Sequence, residues 1–406
     1  MGIQNDVMSR IKSNKELYIL ILIGALYSLS TALSNTFVNV YLWKQNEALM
    51  DLGIYNLAVV ILQGLAFLFA GGLAKKVDRI IILRIGVCFL ASFYLVVLLF
   101  SSNSRLYLVL IGSLLGLGYG FYWLAYNLLT FEITEPETRD SFNGLQGISG
   151  SLGGMIGPFF AGYVISSLTG NTGYLIIFGL SLALFVVAVV CSFFLKRRAA
   201  DGRYQLRDVM EERKQNRDWK RITYANYSQG LREGVFVFII SVFVFVETGS
   251  EMALGTFTLI SSGISFLAYF LVSRYVKVKH RKISMFIGAI LLYMAIAFLV
   301  YHVSYIKLLL YACLIALAYP LLFVPYMSLT YDVIGTAREA ALYRVEYIVI
   351  RELYLNAGRA TSILVFMALI LLTPEQTGIK ILLLGAGAGH VFVYLFMRKV
   401  TVRNID

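Results

Sequence analysis

The most chemically informative part of the chain is residues 346–362, where charged and amide side chains interrupt an apolar sequence. If this stretch is a helix of ~3.6 residues per turn, Glu352, Asn356 and Arg359 share one face. Arg351 adjoins that polar stripe. Ionisable groups at membrane depth are costly, so they tend to face a bundle interior or a wet cavity and to find partners. The stripe therefore predicts a site that handles a substrate or an ion, provided that the segment lies in a membrane.

A second pair of ionisable residues, Arg232 and Glu233, interrupts another apolar run. Neighbours on a helix point roughly 100° apart. We therefore expect each to find its partner on another helix, and the group around Arg359 offers such partners. Two interpretations stay open, namely handling of a substrate or ion, and a buried charge network that only holds the helices together.

Aromatic and amide side chains supply further candidates for the lining of a path: Tyr122, Trp123, Tyr126, Asn127, Tyr319, Phe323 and Tyr326. Hydroxyl-bearing rings beside an amide offer an organic molecule both apolar contact and hydrogen bonds. Two prolines, Pro320 and Pro325, would loosen the second of these segments. The alternative is that the rings only pack against other helices or against lipid.

The composition is that of an integral membrane protein. Of 406 residues 59% are hydrophobic and 14% are charged, whereas a soluble domain carries about a quarter charged residues. The mean hydropathy is +0.76. Three dispersed cysteines indicate neither a disulfide framework nor a zinc site. The sequence contains no P-loop, nucleophile elbow or dinucleotide fingerprint, so we expect neither an enzyme nor a cofactor.

Twelve apolar runs, each long enough for a membrane-crossing helix of about 20 residues, divide the chain into segments that we number spans one to twelve. They fall near residues 17–43, 51–74, 80–100, 105–131, 143–168, 173–195, 222–247, 250–273, 283–302, 305–331, 345–372 and 377–397. This pattern predicts an all-α membrane protein.

A charged interval separates the first six spans from the last six. We expect an N-terminal bundle at 1–195, a linker at 196–221 and a C-terminal bundle at 222–406. The linker is expected to be either a short amphipathic helix at the membrane surface or a plain solvated tether.

The distribution of basic residues predicts the orientation. Of the 35 Lys and Arg residues, three lie at membrane depth and four lie in the outer segments, at or beside the span ends, namely Lys44, Arg105, Lys307 and Lys380. The others all fall on the side of the two termini, which places both termini and the linker in the cytoplasm of a plasma-membrane protein. The net charge of +12 then indicates anionic lipid headgroups as neighbours, and not nucleic acid.

The two halves repeat. Segment 117–132 aligns with segment 317–332, and the acid Glu132 falls opposite the acid Asp332. Two six-helix units in the same orientation are typical of a transporter whose substrate site lies at their interface near the midplane.

The loop between spans two and three reads Gly71-Gly-Leu-Ala-Lys-Lys-Val-Asp-Arg79. It is similar to the loop signature of the major facilitator superfamily, Gly-x-Leu-Ala-Asp-Arg-x-Gly-Arg, and the six-plus-six architecture resembles that family over essentially the whole chain. Lys75 stands at the acidic position and Asp78 at the second glycine. In the family the acid helps to latch the halves in one gate state, so Lys75 argues against a standard latch.

Span five carries a second motif that resembles the family, the Gly-x-x-x-Gly-Pro-x-x-Gly-Gly pattern of its antiporters, at Gly153, Gly157, Pro158 and Gly162. Small residues let helices approach closely, and the proline frees a carbonyl. The motif implies a gating hinge, with ordinary tight packing as the alternative. When the halves are aligned, Arg359 falls opposite Pro158.

The resemblance implies a secondary transporter that works by alternating access. We expect a monomer that exports a small organic or amphiphilic molecule, driven by an ion gradient with H⁺ as the coupling ion. The family's fourth-span arginine, often tied to proton coupling, has no match here, because Arg105 lies at the outer end of that span.

Two alternatives remain. One is a proton-coupled importer or uniporter of a polar or anionic metabolite, with Arg232, Arg351 and Arg359 as an anion clamp. The other is a membrane sensor or assembly factor that binds a ligand without moving it.

Overall fold

The fold is taken from a computed structural model of the chain. It describes residues 15–100, 105–133, 136–196, 202–301, 304–337, 339–340 and 342–401, and leaves out the side chains of residues 131, 136–141, 143 and 144.

Throughout the described residues the regular elements are helices, and twelve of them are long and apolar enough to cross a membrane. Spans one to six are Lys15–Asn46, Leu49–Ala74, Arg79–Leu99, Arg105–Ile133, Pro136–Ser167 and Thr172–Ser192. Spans seven to eleven are Arg217–Thr248, Glu251–Tyr275, Arg281–Tyr301, Tyr305–Gly335 and Arg344–Leu372. Span twelve has two pieces, Glu375–Gly387 and Gly389–Met397. The twelve predicted spans and the all-α fold are confirmed.

Local sequence explains several of the helix ends. The Asp78 carboxylate accepts a hydrogen bond from the Ile80 N–H at 2.9 Å and caps span three. The Ser250 hydroxyl caps span eight in the same way, through the Ala253 N–H at 3.2 Å. Gly249, at φ 63°, ends span seven in the left-handed conformation that glycine adopts without strain.

The two bundles have the same internal packing. In the first, span one packs on spans five and six, span four packs on spans two and three, and spans three and six are in contact. In the second bundle the equivalent pairs of spans, each numbered six higher, are also in contact. The bundles meet through span five against span eight and span two against span eleven, with a smaller contact of spans one and seven. The contacts follow the internal repeat that the sequence indicates.

The linker contains a helix, Leu206–Gln215, that docks on the C-terminal bundle. Val209 is buried, and its carbonyl accepts a hydrogen bond from the Trp219 indole at 3.3 Å. The Tyr347 hydroxyl of span eleven bonds to Glu212. The tether interpretation is therefore wrong for this segment. Span seven also begins at Arg217, inside the interval assigned to the linker, because Asn216 caps it.

Spans seven and eleven cross at glycines. A Cβ added to Gly358 would lie 2.0 Å from the carbonyl oxygen of Tyr227. Gly358→Ala is therefore expected to lower stability by at least the ~1–3 kcal/mol typical of overpacking. Gly385→Ala is the matched control in the same bundle, because a Cβ there meets nothing within 4 Å. It should be neutral or slightly stabilising. Thermal unfolding of the purified variants measures both, and equal midpoints would contradict the close crossing.

Candidate functional site

A cavity of about 400 Å³ lies between the two bundles. We call it the central cavity. Spans two, four, seven, ten and eleven line it, through Gln63, Phe67, Trp123, Asn127, Asn226, Gln229, Glu233, Phe323, Tyr326, Met327, Tyr331, Arg351, Glu352, Leu355 and Arg359. The lining combines aromatic rings, amides and two acid–base pairs.

An ion pair between spans seven and eleven forms part of the wall of this cavity. Arg359 donates to the Glu233 Oε2 from Nη2 at 2.5 Å and from Nε at 3.0 Å. The Gln229 amide donates to the other carboxylate oxygen of Glu233 at 2.7 Å. Arg359 Nη1 also donates to the Asn356 Oδ1 at 3.3 Å. The expected contact of the span-seven charges with the group around Arg359 is confirmed for Glu233, and the helix face shared by Asn356 and Arg359 is confirmed with it.

A second ion pair lies within span eleven. Arg351 donates to Glu352 at 2.5 Å and to the Tyr331 hydroxyl at 3.2 Å. Two arginines and two glutamates thus line the central cavity and their charges cancel. In this structure Arg351 and Arg359 are both engaged by carboxylates, so an anion would have to compete with those carboxylates to be clamped by them.

Of the aromatic and amide residues that we predicted to line a path, four lie at the central cavity and two do not. Trp123, Asn127, Phe323 and Tyr326 line the central cavity. Tyr122 and Tyr126 do not line it, because these two residues share a face of span four that points into the N-terminal bundle.

The aromatic packing there accounts for both tyrosines. The ring of Tyr122 stacks on Tyr27 at 3.9 Å, and its side chain is 1% exposed. The Tyr126 hydroxyl donates to the Gln146 Oε1 at 2.8 Å. The next residue in each case, Trp123 and Asn127, lies roughly 100° further round the helix and faces the cavity.

The remaining candidates, Arg232 and Tyr319, line a different cavity. It has a volume of about 370 Å³ and is lined by spans seven, eight, ten and twelve of the C-terminal bundle. We call it the C-bundle cavity. Glu233 lines both cavities, and the Gln229 amide bonds to the Tyr319 hydroxyl at 3.1 Å. The two cavities are therefore neighbours that share a wall.

Sequence reasoning missed three amide residues of the central cavity, Gln63, Asn226 and Gln229. Asn226 and Gln229 precede Glu233 by seven and four positions, which is helical spacing on one face. That signal was present in the sequence. Gln63 is a single amide in the apolar span two, and its orientation depends on how span two packs against span eleven.

Different ion pairs join the two bundles at their two ends. We call the end with residue 15, the linker helix and residue 401 the terminal end. There the Lys75 Nζ lies 3.3 Å from the Glu346 Oε2 of span eleven and donates to the Leu342 carbonyl at 2.8 Å. At the opposite end the Lys44 Nζ lies 2.8 Å from the Glu251 Oε1 of span eight.

The linker joins the contact at the terminal end. The Gln205 N–H donates to the Glu346 Oε1 at 3.1 Å, and the Tyr343 hydroxyl donates to the Gln205 Oε1 at 2.7 Å. Burial, together with the Glu346 carboxylate, raises the pKa of Tyr204 well above its usual value. Span two thus meets span eleven through a buried pair whose basic member stands where the family signature has an acid.

The other motif residues pack as follows. Arg79 forms an ion pair with Glu132 at 2.8 Å, and Arg281 forms the equivalent pair with Asp332 at 2.8 Å, so each bundle ties its own loop to span four or ten. Gly71 packs against Tyr204, since an added Cβ would lie 2.7 Å from that hydroxyl.

The span-five glycines face two ways. An added Cβ on Gly153 or Gly157 would meet span one, at 3.4 Å and 3.0 Å. One on Gly162 would lie 2.6 Å from the Glu251 carbonyl of span eight. The Pro158 carbonyl in turn would lie 2.7 Å from a Cβ on Gly255. The motif therefore allows close contact both within the first bundle and between the bundles, and its role as a hinge stays a prediction.

Twelve spans in two repeated sets, around a polar cavity that both sets line, define a multi-pass membrane protein of the secondary-transporter class. The chain belongs to the Major Facilitator Superfamily, whose model matches residues 16–344. The chain is 57% identical to the uncharacterized protein YqgE of Bacillus subtilis (strain 168) over 398 residues, which is 98% of this chain and 93% of that protein. It is also 54% identical to an uncharacterized protein of Geobacillus stearothermophilus encoded in the sodM 3' region, over 48% of this chain and 89% of that protein.

Solved structures of transporters share the fold. A mutant of the nucleoside transporter NupG aligns with a TM-score of 0.69 at 16% identity, over 95% of this chain and 100% of that chain. A bacterial homolog of the human lysosomal transporter Spinster aligns with a TM-score of 0.68 at 14% identity, over 95% of this chain and 97% of that chain. The human organic anion transporter MFSD10 aligns with a TM-score of 0.69 at 15% identity, over 94% of this chain and 99% of that chain. The expected family and fold are confirmed, and family and neighbours indicate a transporter and not an enzyme.

Proposed function

We propose that this chain exports a small polar or amphiphilic organic molecule through the central cavity by alternating access, driven by an inward proton gradient. The observation that carries the proposal is the Glu233–Arg359 ion pair, which joins spans seven and eleven within the cavity lining. A volume of about 400 Å³ lies at the lower end of the roughly 300–1,000 Å³ of small-molecule sites.

The lining indicates how such a molecule would be held. Trp123 and Phe323 offer aromatic faces from the two bundles. The Gln229 Oε1 and the Tyr326 hydroxyl are buried and have no hydrogen-bond partner in the part of the chain that the structure describes. A substrate with a flat apolar part and a few hydrogen-bonding groups would satisfy them, because buried polar atoms without partners are costly.

Coupling follows from competition at Glu233. Its carboxylate accepts hydrogen bonds from Arg359 and Gln229. A proton on this carboxylate removes its charge and weakens the ion pair, which loosens the polar part of the cavity wall that spans seven and eleven form. A substrate that donates a hydrogen bond to the carboxylate competes with the proton for the same oxygens. Such exclusion produces exchange of substrate for protons, which is export when the proton gradient points inward.

The orientation and assembly belong to the same proposal. The bias of Lys and Arg supports cytoplasmic termini in a plasma membrane. Both bundles of one chain contribute to the lining of the central cavity, as a transporter that works as a monomer requires, with the substrate and the bilayer as its partners. In a chain whose three native cysteines are changed to serine, Thr401→Cys should react with an impermeant thiol reagent only after the cells are permeabilised.

The test begins with the ligand. A thermal-shift screen of the purified protein against a broad library should identify molecules that raise the unfolding temperature, since a ligand of the folded state stabilises it. These ligands should then move across proteoliposome membranes against their own gradient when a pH gradient is applied. Binding without any flux would indicate a sensor, and flux that ignores the pH gradient would indicate a uniporter.

A second candidate is an importer of an anionic metabolite. One observation favours it, because Arg232 is buried and forms no ion pair with a carboxylate among the described residues. The direction of net flux under an inward proton gradient distinguishes the two candidates. Symport with protons would move the substrate into the liposome, whereas exchange for protons would move it out.

A further inference from the structure

The C-bundle cavity has one polar end and a long apolar wall. Arg232, Tyr311 and His390 form the polar end. The apolar wall consists of Phe236, Val237, Ile240, Phe257, Ala312 and Ile315. Neither the proposed coupling at Glu233 nor the packing of the two bundles requires this arrangement.

Arg232 is a buried cation that forms no ion pair among the described residues. The residue is 7% exposed, and its Nη2 donates to the Tyr311 hydroxyl at 2.9 Å. The guanidinium carbon lies 3.4 Å from the centre of the Phe236 ring. Its Nε has no hydrogen-bond partner in the described part of the chain, and the neighbouring carboxylate of Glu233 is engaged by Arg359. Burying a charge without an ion-pair partner is costly, so this arrangement favours the binding of an anion.

His390 adds a second unused donor. The residue is 2% exposed, and neither ring nitrogen has a hydrogen-bond partner within the described ranges. A neutral imidazole always carries one N–H donor. Gly389 lets span twelve approach span seven closely, since a Cβ there would lie 3.1 Å from the Arg232 Cβ. The imidazole packs against the Tyr319 ring, with the ring centroids 5.7 Å apart.

From this arrangement we infer that the C-bundle cavity binds a small organic monocarboxylate. Its carboxylate lies at Arg232 and His390, and its apolar body lies along Phe257 and Ile240. The guanidinium and the imidazole N–H are the donors that a carboxylate prefers. A volume of about 370 Å³ with an apolar wall is far larger than a halide ion requires, and suits an anion that carries hydrocarbon. The inference goes beyond the proposed function, because it concerns a second site and does not require transport.

Binding is tested directly on the full-length protein in detergent. Benzoate and hexanoate are the probes, benzyl alcohol is the uncharged analogue, and sodium chloride at equal concentration is the inorganic anion. Saturating benzoate or hexanoate should raise the unfolding midpoint by about 3 °C or more, and benzyl alcohol should not. Arg232→Gln should abolish the shift. The matched control is Arg105→Gln, which makes the same change of charge at an exposed position and should keep it.

Three results would overturn the inference. The first is that neither carboxylate shifts the unfolding midpoint, and the second is that Arg232→Gln shows the same shift as the unchanged protein. The third is that chloride alone produces the same shift and the carboxylates add nothing to it. The last would identify a site for a free inorganic anion. Because the assay measures binding and not flux, failure here leaves proton-coupled export through the central cavity to be judged by its own assay.

A second measurement covers the case in which Arg232→Gln does not fold. Ser261 of span eight lines the cavity, and Cys88, Cys191 and Cys313 do not. In a chain with these three cysteines changed to serine, the Ser261→Cys thiol should react several-fold more slowly with a thiol reagent when benzoate is present. Benzyl alcohol should leave the rate unchanged. Equal rates with and without benzoate would contradict occupancy of the cavity.

Discussion

Glu233→Gln is expected to abolish the coupling of transport to the pH gradient while leaving a folded protein. Glutamine keeps the shape of the side chain and loses both the charge and the proton. Uphill accumulation of the substrate in proteoliposomes should fall to the equilibrium value, and the remaining downhill flux should no longer depend on pH. The variant also leaves Arg359 without its carboxylate.

The cost of that loss to stability is smaller than for a fully buried pair. Breaking a buried ion pair from one side costs about 3–5 kcal/mol. Both side chains here are 21% exposed, so solvent in the cavity screens part of the uncompensated charge. The unfolding midpoint should therefore fall, and the protein should still purify as a single species.

Glu352→Gln is the matched comparison in the same cavity. Glu352 pairs with Arg351, its neighbour on the same helix, so this pair does not join span seven to span eleven. We expect slower transport that keeps its pH dependence. An exposed change of the same kind, Glu211→Gln in the linker helix, should alter neither property. Unchanged pH dependence in both cavity variants would remove these carboxylates from the coupling mechanism.

The sequence predicted the architecture well because membrane helices are determined locally. Length and apolar composition identify each span, and the bundles that pack in the structure are the ones that repeat in the sequence. The divergence of Arg232 and Glu233 was also predictable, because adjacent residues on a helix must point in different directions. Their partners, Tyr311 and Arg359, lie on two other spans.

What could not be predicted is set by rotation and packing of whole helices. Tyr122 and Trp123 are equally aromatic, and only the rotation of span four decides that the first is buried in its bundle and the second faces the cavity. The linker gives a similar case, because Trp219 lies in an interval that reads as charged. Its burial against Tyr347 depends on a contact with span eleven.

The contact of Lys75 with Glu346 could not be predicted either, because it joins residues far apart in the chain.

The ion pair of Lys75 with Glu346 is the basis of the second prediction of a large effect. Lys75→Glu should open the contact between spans two and eleven at the terminal end and lower stability markedly. The reason is that two carboxylates would then face each other at positions that are 7% and 0% exposed. Like charges at such depth are poorly screened by water, and breaking a buried pair costs about 3–5 kcal/mol.

The double exchange tests whether the pair acts as a latch of reversed polarity. Glu346→Lys alone should be as harmful as Lys75→Glu, because it also removes the acceptor of the Gln205 N–H. Lys75→Glu combined with Glu346→Lys restores opposite charges and should recover part of the lost unfolding temperature. Recovery stays incomplete because the Gln205 N–H then lacks its acceptor. Lys76→Glu is the matched control, since it makes the same change of charge at the next, exposed residue and should have little effect.

The conformational part of this prediction needs a readout other than stability. In a chain with its native cysteines changed to serine, Asn127→Cys places a thiol on the wall of the central cavity. Its reaction with an impermeant reagent should accelerate in Lys75→Glu and return toward the original rate in the double exchange. If each single variant loses stability but neither changes the labelling rate, the pair contributes to stability without gating the cavity. If the double exchange loses as much stability as the two single variants lose together, the two side chains are not coupled. The reversed charges would then be a departure from the family signature without a compensating partner.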